Sequence, residues 1–167
     1  MTDRAIFNRI YTSFTPGSTP VWLVNGAGVT TTPVSTREFT AGEDLIQGQV
    51  VCLSGTYAVS ASAASGVDAY LNNAVGITSV AASGASPVTV VLDDIAVVGD
   101  VNITAESSLI PGQYYYLSKS TGELTRFTTA SGTVTASGGY AVLVNLGIAL
   151  STSEIHVEIQ PPVDLYS

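Results

Sequence analysis

The sequence predicts an all-β protein, and three observations carry that prediction: its residue usage, its short apolar runs set between turns, and a pattern repeated in its two halves. Val, Thr, Ser, Ala and Gly are abundant, with eight Tyr and a single Lys, Lys119. β-branched and aromatic side chains suit a pleated, half-buried surface, while Gly, Ser and Asn supply turns. No stretch sustains helical periodicity. A chain of 167 residues has room for one ordinary domain plus an arm, and not for two full domains.

Residues 1–38 are expected to form an extended N-terminal arm. They lack the strand-and-turn rhythm of the rest and hold Pro16, Pro20 and Pro33, a Gly-rich bend at Asn25-Gly26-Ala27-Gly28, and three consecutive Thr at 30–32. Ile6, Phe7, Ile10, Tyr11, Phe14, Val21, Trp22 and Leu23 punctuate the same stretch, and a disordered tail would be poor in such residues. Phe7, Tyr11, Phe14 and Trp22 are therefore the candidate partner-binding residues, inserting into pockets of a neighbouring subunit. The other option is an arm folded back as an edge strand of its own domain.

Residues 39–160 are expected to form the β domain. Leu45-Ile46-Gln47-Gly48-Gln49-Val50-Val51-Cys52-Leu53-Ser54 matches Leu109-Ile110-Pro111-Gly112-Gln113-Tyr114-Tyr115-Tyr116-Leu117-Ser118 at six of ten positions. A Gly turn follows each copy, at Gly55 and Gly122, then a second strand. Farther on, Ala74-Val75-Gly76-Ile77 parallels Asn145-Leu146-Gly147-Ile148, and Val88 to Leu92 parallels Ile155 to Ile159. Internal repetition of this kind marks a duplicated supersecondary unit. Two four-strand units make a closed or sandwiched β structure, because each exposes an apolar face that the other can cover. Ile95-Ala96-Val97-Val98 reads as a further strand, bracketed by turns at Asp93-Asp94 and Gly99-Asp100. In the last strand Ile155, Val157 and Ile159 face one way and Glu154, His156 and Glu158 the other. The tail 161–167 starts with two prolines, which cannot continue a ladder, and is expected to run off the domain.

Charge narrows the function classes. Only 11% of the residues are charged and the net charge is −8, which argues against a nucleic-acid surface, since phosphate binding needs clustered Lys and Arg. Residues 1–38 carry Arg4, Arg9 and Arg37 against Asp3 and Glu38, while the remainder carries Lys119 and Arg126 against eleven acids. A slightly basic arm on an acidic body fits docking on an acidic neighbour. No run approaches the length of a membrane span, and the polar start Met1-Thr2-Asp3-Arg4 does not read as a signal peptide. The expectation is a chain made in a cytoplasm, with no membrane partner.

Chemistry is scarce in the sequence. The single Cys, Cys52, lies in an apolar run and reads as a buried, inert thiol. The single His, His156, sits within an alternating strand and reads as a surface or interface residue. One Cys and one His cannot build a zinc site from this chain alone. Asp93-Asp94 with Asp100, and Glu43-Asp44, could offer oxygen ligands to calcium but lack the spacing of a calcium loop. Gly26-Ala27-Gly28 lacks the strand–helix setting of a phosphate loop. No catalytic residue, metal or cofactor is expected, and the chain is read as no enzyme. Tyr114, Tyr116 and Tyr140 could stack on sugars, which keeps a carbohydrate-binding module as one alternative.

The ordered pattern Ala41-Gly42-Glu43-Asp44-Leu45 with Gly48, then Pro111-Gly112 with Tyr115-Tyr116-Leu117-Ser118 and Gly122 with Leu124-Thr125, then Gly147-Ile148-Ala149-Leu150-Ser151, resembles small domains of tailed-bacteriophage fibres and related capsid-decoration (cement) proteins. It spans residues 39–160. The resemblance implies a compact β-barrel or β-tulip-like domain, a homotrimer, and a structural protein of the virion surface without catalytic activity. The chain lacks a repetitive stalk, so the expected role is capsid decoration, with the major capsid protein or other virion subunits as partners. A small fibre or baseplate appendage contacting the host is the other implied role.

Overall fold

The computed structural model describes residues 35–126 and 141–165, together with the backbone of two short strands before them. The chain divides into two compact units, Met1–Val34 and Ser35–Ser167. In the first unit, β1 (Trp22–Val24) pairs antiparallel with β2 (Ala27–Val29), Trp22 opposite Val29. Two short paired strands thus lie within the stretch expected to form the arm.

The second unit is all β, as its composition predicts. Its first half is a closed five-stranded barrel of β3 (Thr36–Ala41), β4 (Val50–Ser54), β5 (Tyr57–Ser60), β6 (Ala74–Thr78) and β7 (Pro87–Val91). Neighbours pair antiparallel except β3 and β5, which close the barrel in parallel with Thr40 opposite Tyr57. The second half is a five-stranded sheet. It contains β8 (Ile95–Val97), β9 (Tyr114–Leu117), β10 (Leu124–Thr125), β12 (Asn145–Ala149) and β13 (Glu154–Val157), in the order β10-β9-β12-β13-β8.

That order is the barrel's own order, β5-β4-β6-β7-β3, carried by the later strands. The sequence repeat is therefore a repeat of topology, and detail follows it. Gly48 N–H donates to the Thr78 carbonyl at 2.9 Å, and Gly112 N–H donates to that of Ala149 at 2.8 Å. The reciprocal bonds, Thr78 N–H to Gln49 O and Ala149 N–H to Gln113 O, are 3.0 and 2.9 Å. A β-bulge falls at the same place in each copy, with Val75 and Leu146 as the extra residues. Even the parallel closure has a remnant in the second copy, where Ile103 bridges Leu124.

The glycine after each bulge is required by close approach. A Cβ on Gly76 would collide with Val90 and the Val91 carbonyl, and one on Gly147, at φ +144°, would collide with the His156 carbonyl. Bulges tighten local twist and pull the neighbouring strand in, which leaves no room for a side chain. Asn145 Oδ1 accepts the Gly147 N–H at 2.9 Å, so the kink leaves that donor satisfied.

Two cores result. Ala41, Leu45, Val51, Ala58, Val88 and Val90 form a cluster drawn wholly from the barrel and its loops. Val50, Cys52, Ile77 and Val91 point the other way, into a larger cluster with Tyr115, Leu117, Leu124, Leu146, Ile155 and Val157 of the second sheet. The unbroken apolar run of β4 thus has a physical reason, since both of its faces are buried.

Two boundaries differ from the sequence reading. The barrel starts with Thr36–Glu38, assigned above to the arm, because β3 pairs with β7 from Thr36 onward. Those three side chains are exposed and gave no apolar signal. The tail does not run off. Past Pro161-Pro162, β14 (Val163–Asp164) pairs antiparallel with β11 (Val142–Leu143), and Leu165 N–H donates to the Ala141 carbonyl.

Replacing Gly147 with Ala should cost on the order of 3 kcal/mol, since strain and a backbone collision add. Gly112→Ala, at φ +79° with nothing within 4 Å of a new Cβ, should cost only about 1 kcal/mol, for strain alone. Urea unfolding of both variants measures the difference; equal losses would refute the crowding.

Candidate interaction surface

The outer face of the second sheet is the most distinctive surface of the described residues. Pairing places Tyr114 opposite Ile148, Ile148 opposite His156, and His156 opposite Ile95, so one row of side chains crosses four strands. Tyr114 is 55% exposed and Ile95 49%, while Ile148 and His156 are half-buried. Val97, exposed, lies opposite Glu154 at the rim. Among the described residues β8 pairs only with β13 and is an edge strand. An apolar row beside an open edge is what soluble proteins normally cover or blunt with charge.

The three consecutive tyrosines split as strand alternation demands. Tyr115 is fully buried, and Tyr114 and Tyr116 lie on the opposite face. The Tyr115 hydroxyl accepts the Ile110 N–H at 3.0 Å and donates to Glu106 at 2.9 Å. Glu106 in turn pairs with Arg126 at 2.6 Å. This chain of polar contacts fixes the Leu109-Ile110 turn beside the exposed row.

Glu43, Asp44, Asp94 and Asp100, four of the acids singled out in the sequence, accept hydrogen bonds from within the chain. Glu43 accepts from both the N–H and the hydroxyl of Ser60, and Gln49 Nε2 donates to the same hydroxyl at 2.7 Å. Asp44 accepts the Gly84 N–H at 2.9 Å, Asp94 that of Ile95 at 2.7 Å, and Asp100 that of Val101 at 2.9 Å. Among the described residues no three His, Cys, Asp or Glu side chains gather as metal ligands. A cleft of about 260 Å³ beside Gly42 is lined by Ala41, Ser54, Tyr57, Val59 and Ala85. Its only titratable group is the Tyr57 phenol.

Cys52 is enclosed, with burial pushing its thiol up to about 11 from an ordinary 9.0. A thiol held protonated at neutral pH is a poor nucleophile, and His156 lies on the outer sheet face, away from that core. Of the arm residues expected to bind a partner, Phe7, Tyr11 and Phe14 lie outside the described residues, as does Tyr140. Trp22 is described only as a backbone position in β1. The exposed pair Ile95 and Val97 was missed as a surface feature; the short, alternating strand on which they sit was the available signal.

No protein-family model matches the chain, and a search of curated proteins finds no significant match.

The raised thiol sets a pH dependence. Between pH 9 and about 11 the unfolded chain sheds a proton that the folded chain keeps. Stability is whole below pH 9 and falls as pH rises, by up to about 1.4 kcal/mol per unit. Burial also raises Tyr115 above its ordinary 10.0, which adds a loss of the same sign. Cys52→Ala should flatten the slope across this window in urea titrations; an unchanged slope would assign it elsewhere.

Proposed function

We propose that the chain is a non-enzymatic structural protein of a tailed-phage virion, a capsid-decoration protein that trimerises and clamps neighbouring capsid subunits. The observation that carries this reading is the row Tyr114–Ile148–His156–Ile95, apolar but for its imidazole, on an open sheet face, in a chain of which only 11% is charged. A surface like this gains stability against another protein, at about 25 cal/mol per Å² of apolar area before ordering costs. Many copies on one particle multiply a small gain per contact.

The resemblance to phage fibre and decoration domains supports the same reading. Its signature residues do architectural work here: Gly48 and Gly112 adopt positive φ at turns, and Gly147 follows the bulge. Glu43 braces Ser60 through two hydrogen bonds. Residues of this kind shape a scaffold and leave partner choice to exposed side chains.

Quantitative mass spectrometry of purified virions is the test. Hundreds of copies, near parity with the major capsid protein, are expected for decoration; a few to a few dozen would transfer the protein to the tail or vertices as a fibre or baseplate component. Removing residues 1–34, the first compact unit, should leave the β unit folded by circular dichroism yet release it from particles. Full retention on particles would refute the arm's role as the clamp.

A further inference from the structure

The two repeats share a topology and differ in what covers them. In the first, Gly48, Gln49 and Val50 are covered by the second. Val50 N–H donates to the Gly122 carbonyl at 2.9 Å, and Gly122 N–H donates to the Ala61 carbonyl at 2.7 Å. The Gln49 side chain fills the space where a Cβ on Gly122 would lie. Asn102 Nδ2 donates to the Gln47 carbonyl at 2.7 Å, and a Cβ on Gly48 would meet the Val97 carbonyl and Val98 Cα. Val50 is consequently 0% exposed.

The equivalent positions of the second repeat are Gly112, Gln113 and Tyr114, and all three are exposed. A Cβ on Gly112 would meet nothing within 4 Å, and Ile110 beside it is 40% exposed. The covering elements, the turn holding Gly122 and the end of β8, also have equivalents in the first repeat. These are the Gly55-Thr56 turn and the end of β3 at Thr40 to Gly42. Gly55, Thr56, Thr40 and Gly42 are exposed, Tyr57 is 49% exposed, and a Cβ on Gly55 meets nothing within 4 Å.

The contact inside the chain is therefore heterologous: one surface covers a different one, and an unused copy of each remains. We infer that a second copy of this chain binds at Gly112–Tyr114 through its Gly55-Thr56 turn and the end of its β3, repeating head to tail the contact made within the chain. The first repeat's turn is shorter, with four residues between Leu53 and Ala58 against six between Leu117 and Leu124, so the copied contact is closer and less wrapped. Tyr114 is 55% exposed where the first repeat has the enclosed Val50, and a large, uncovered aromatic side chain at this place fits a protein occupant. Head-to-tail contacts leave no free ends only when they close a ring, and a ring of three is the trimer of the proposed function. The inference rests on that reading for its ring size alone.

The test uses the full chain with Thr56→Cys and Gln113→Cys as separate variants, a short bis-maleimide whose reach absorbs the difference in turn length, and the natural chain with its enclosed Cys52 as control. Cross-linked dimer is expected only when the two variants are mixed. The double variant should give products that end at a ring, with native mass spectrometry giving three chains. Adding Tyr114→Lys should abolish the cross-link while the far-UV circular dichroism of the folded chain stays unchanged. Cross-linking of Gln113→Cys alone would show a two-fold contact and overturn the inference, as would a monomer with no cross-link in the mixture. Virion copy number is an independent readout: cross-linking in the mixture with few copies per particle would sink capsid decoration and leave the head-to-tail contact standing.

Discussion

Burial of β4 on both faces is the constraint from which the rest of the β unit follows. Val51 serves the barrel's own cluster, while Val50 and Cys52 serve the cluster shared with the second sheet. A strand with two apolar faces cannot sit at the outside of a single small barrel, because one face would remain wet. The second repeat is what covers it, and the Gly122 turn adds two backbone hydrogen bonds at the seam, to Val50 and Ala61. Further bonds, from Ala63 N–H to Ser118 O and from the Ser62 hydroxyl to Lys119 O, extend the same seam. The duplication is thus one folding unit with a joint, and neither half has a complete surface of its own.

Much of this was legible in residues. The L-I-x-G-Q repeat located both bulged strand units, because its glycines answer to backbone needs that recur with the topology, at φ +81° in Gly48 and +79° in Gly112. The clean alternation of Glu154 to Ile159 located the sheet's inner and outer faces. The buried Cys52 followed from its apolar neighbours.

What stayed hidden depended on pairing at a distance. Thr36 to Glu38 are exposed and polar on a strand held by β7, so no periodicity marked them. The return of Val163 and Asp164 to β11 could not be read past two prolines, since the ladder restarts after them. The exposed row was hidden for the same reason. Ile95 and Ile148 look like core residues in a linear sequence, and only the order of strands makes one an edge and the other an outer-face residue. The repeat also concealed an asymmetry, for Val50 and Tyr114 occupy equivalent places and meet opposite environments.

The seam at Gly122 also has a consequence in time. A nascent chain emerges N-terminus first, and the barrel strands from β3 to β7 are complete by Val91. The residues that shield Val50, Cys52 and Ile77 come later, as far along as Val157 and Ile159. During that interval the ribosome-bound barrel presents a bare apolar wall, the kind of surface that drives nascent chains to aggregate or to engage chaperones. Duplication, which gives the mature protein its second surface, thus leaves the first repeat vulnerable while the second is still being made.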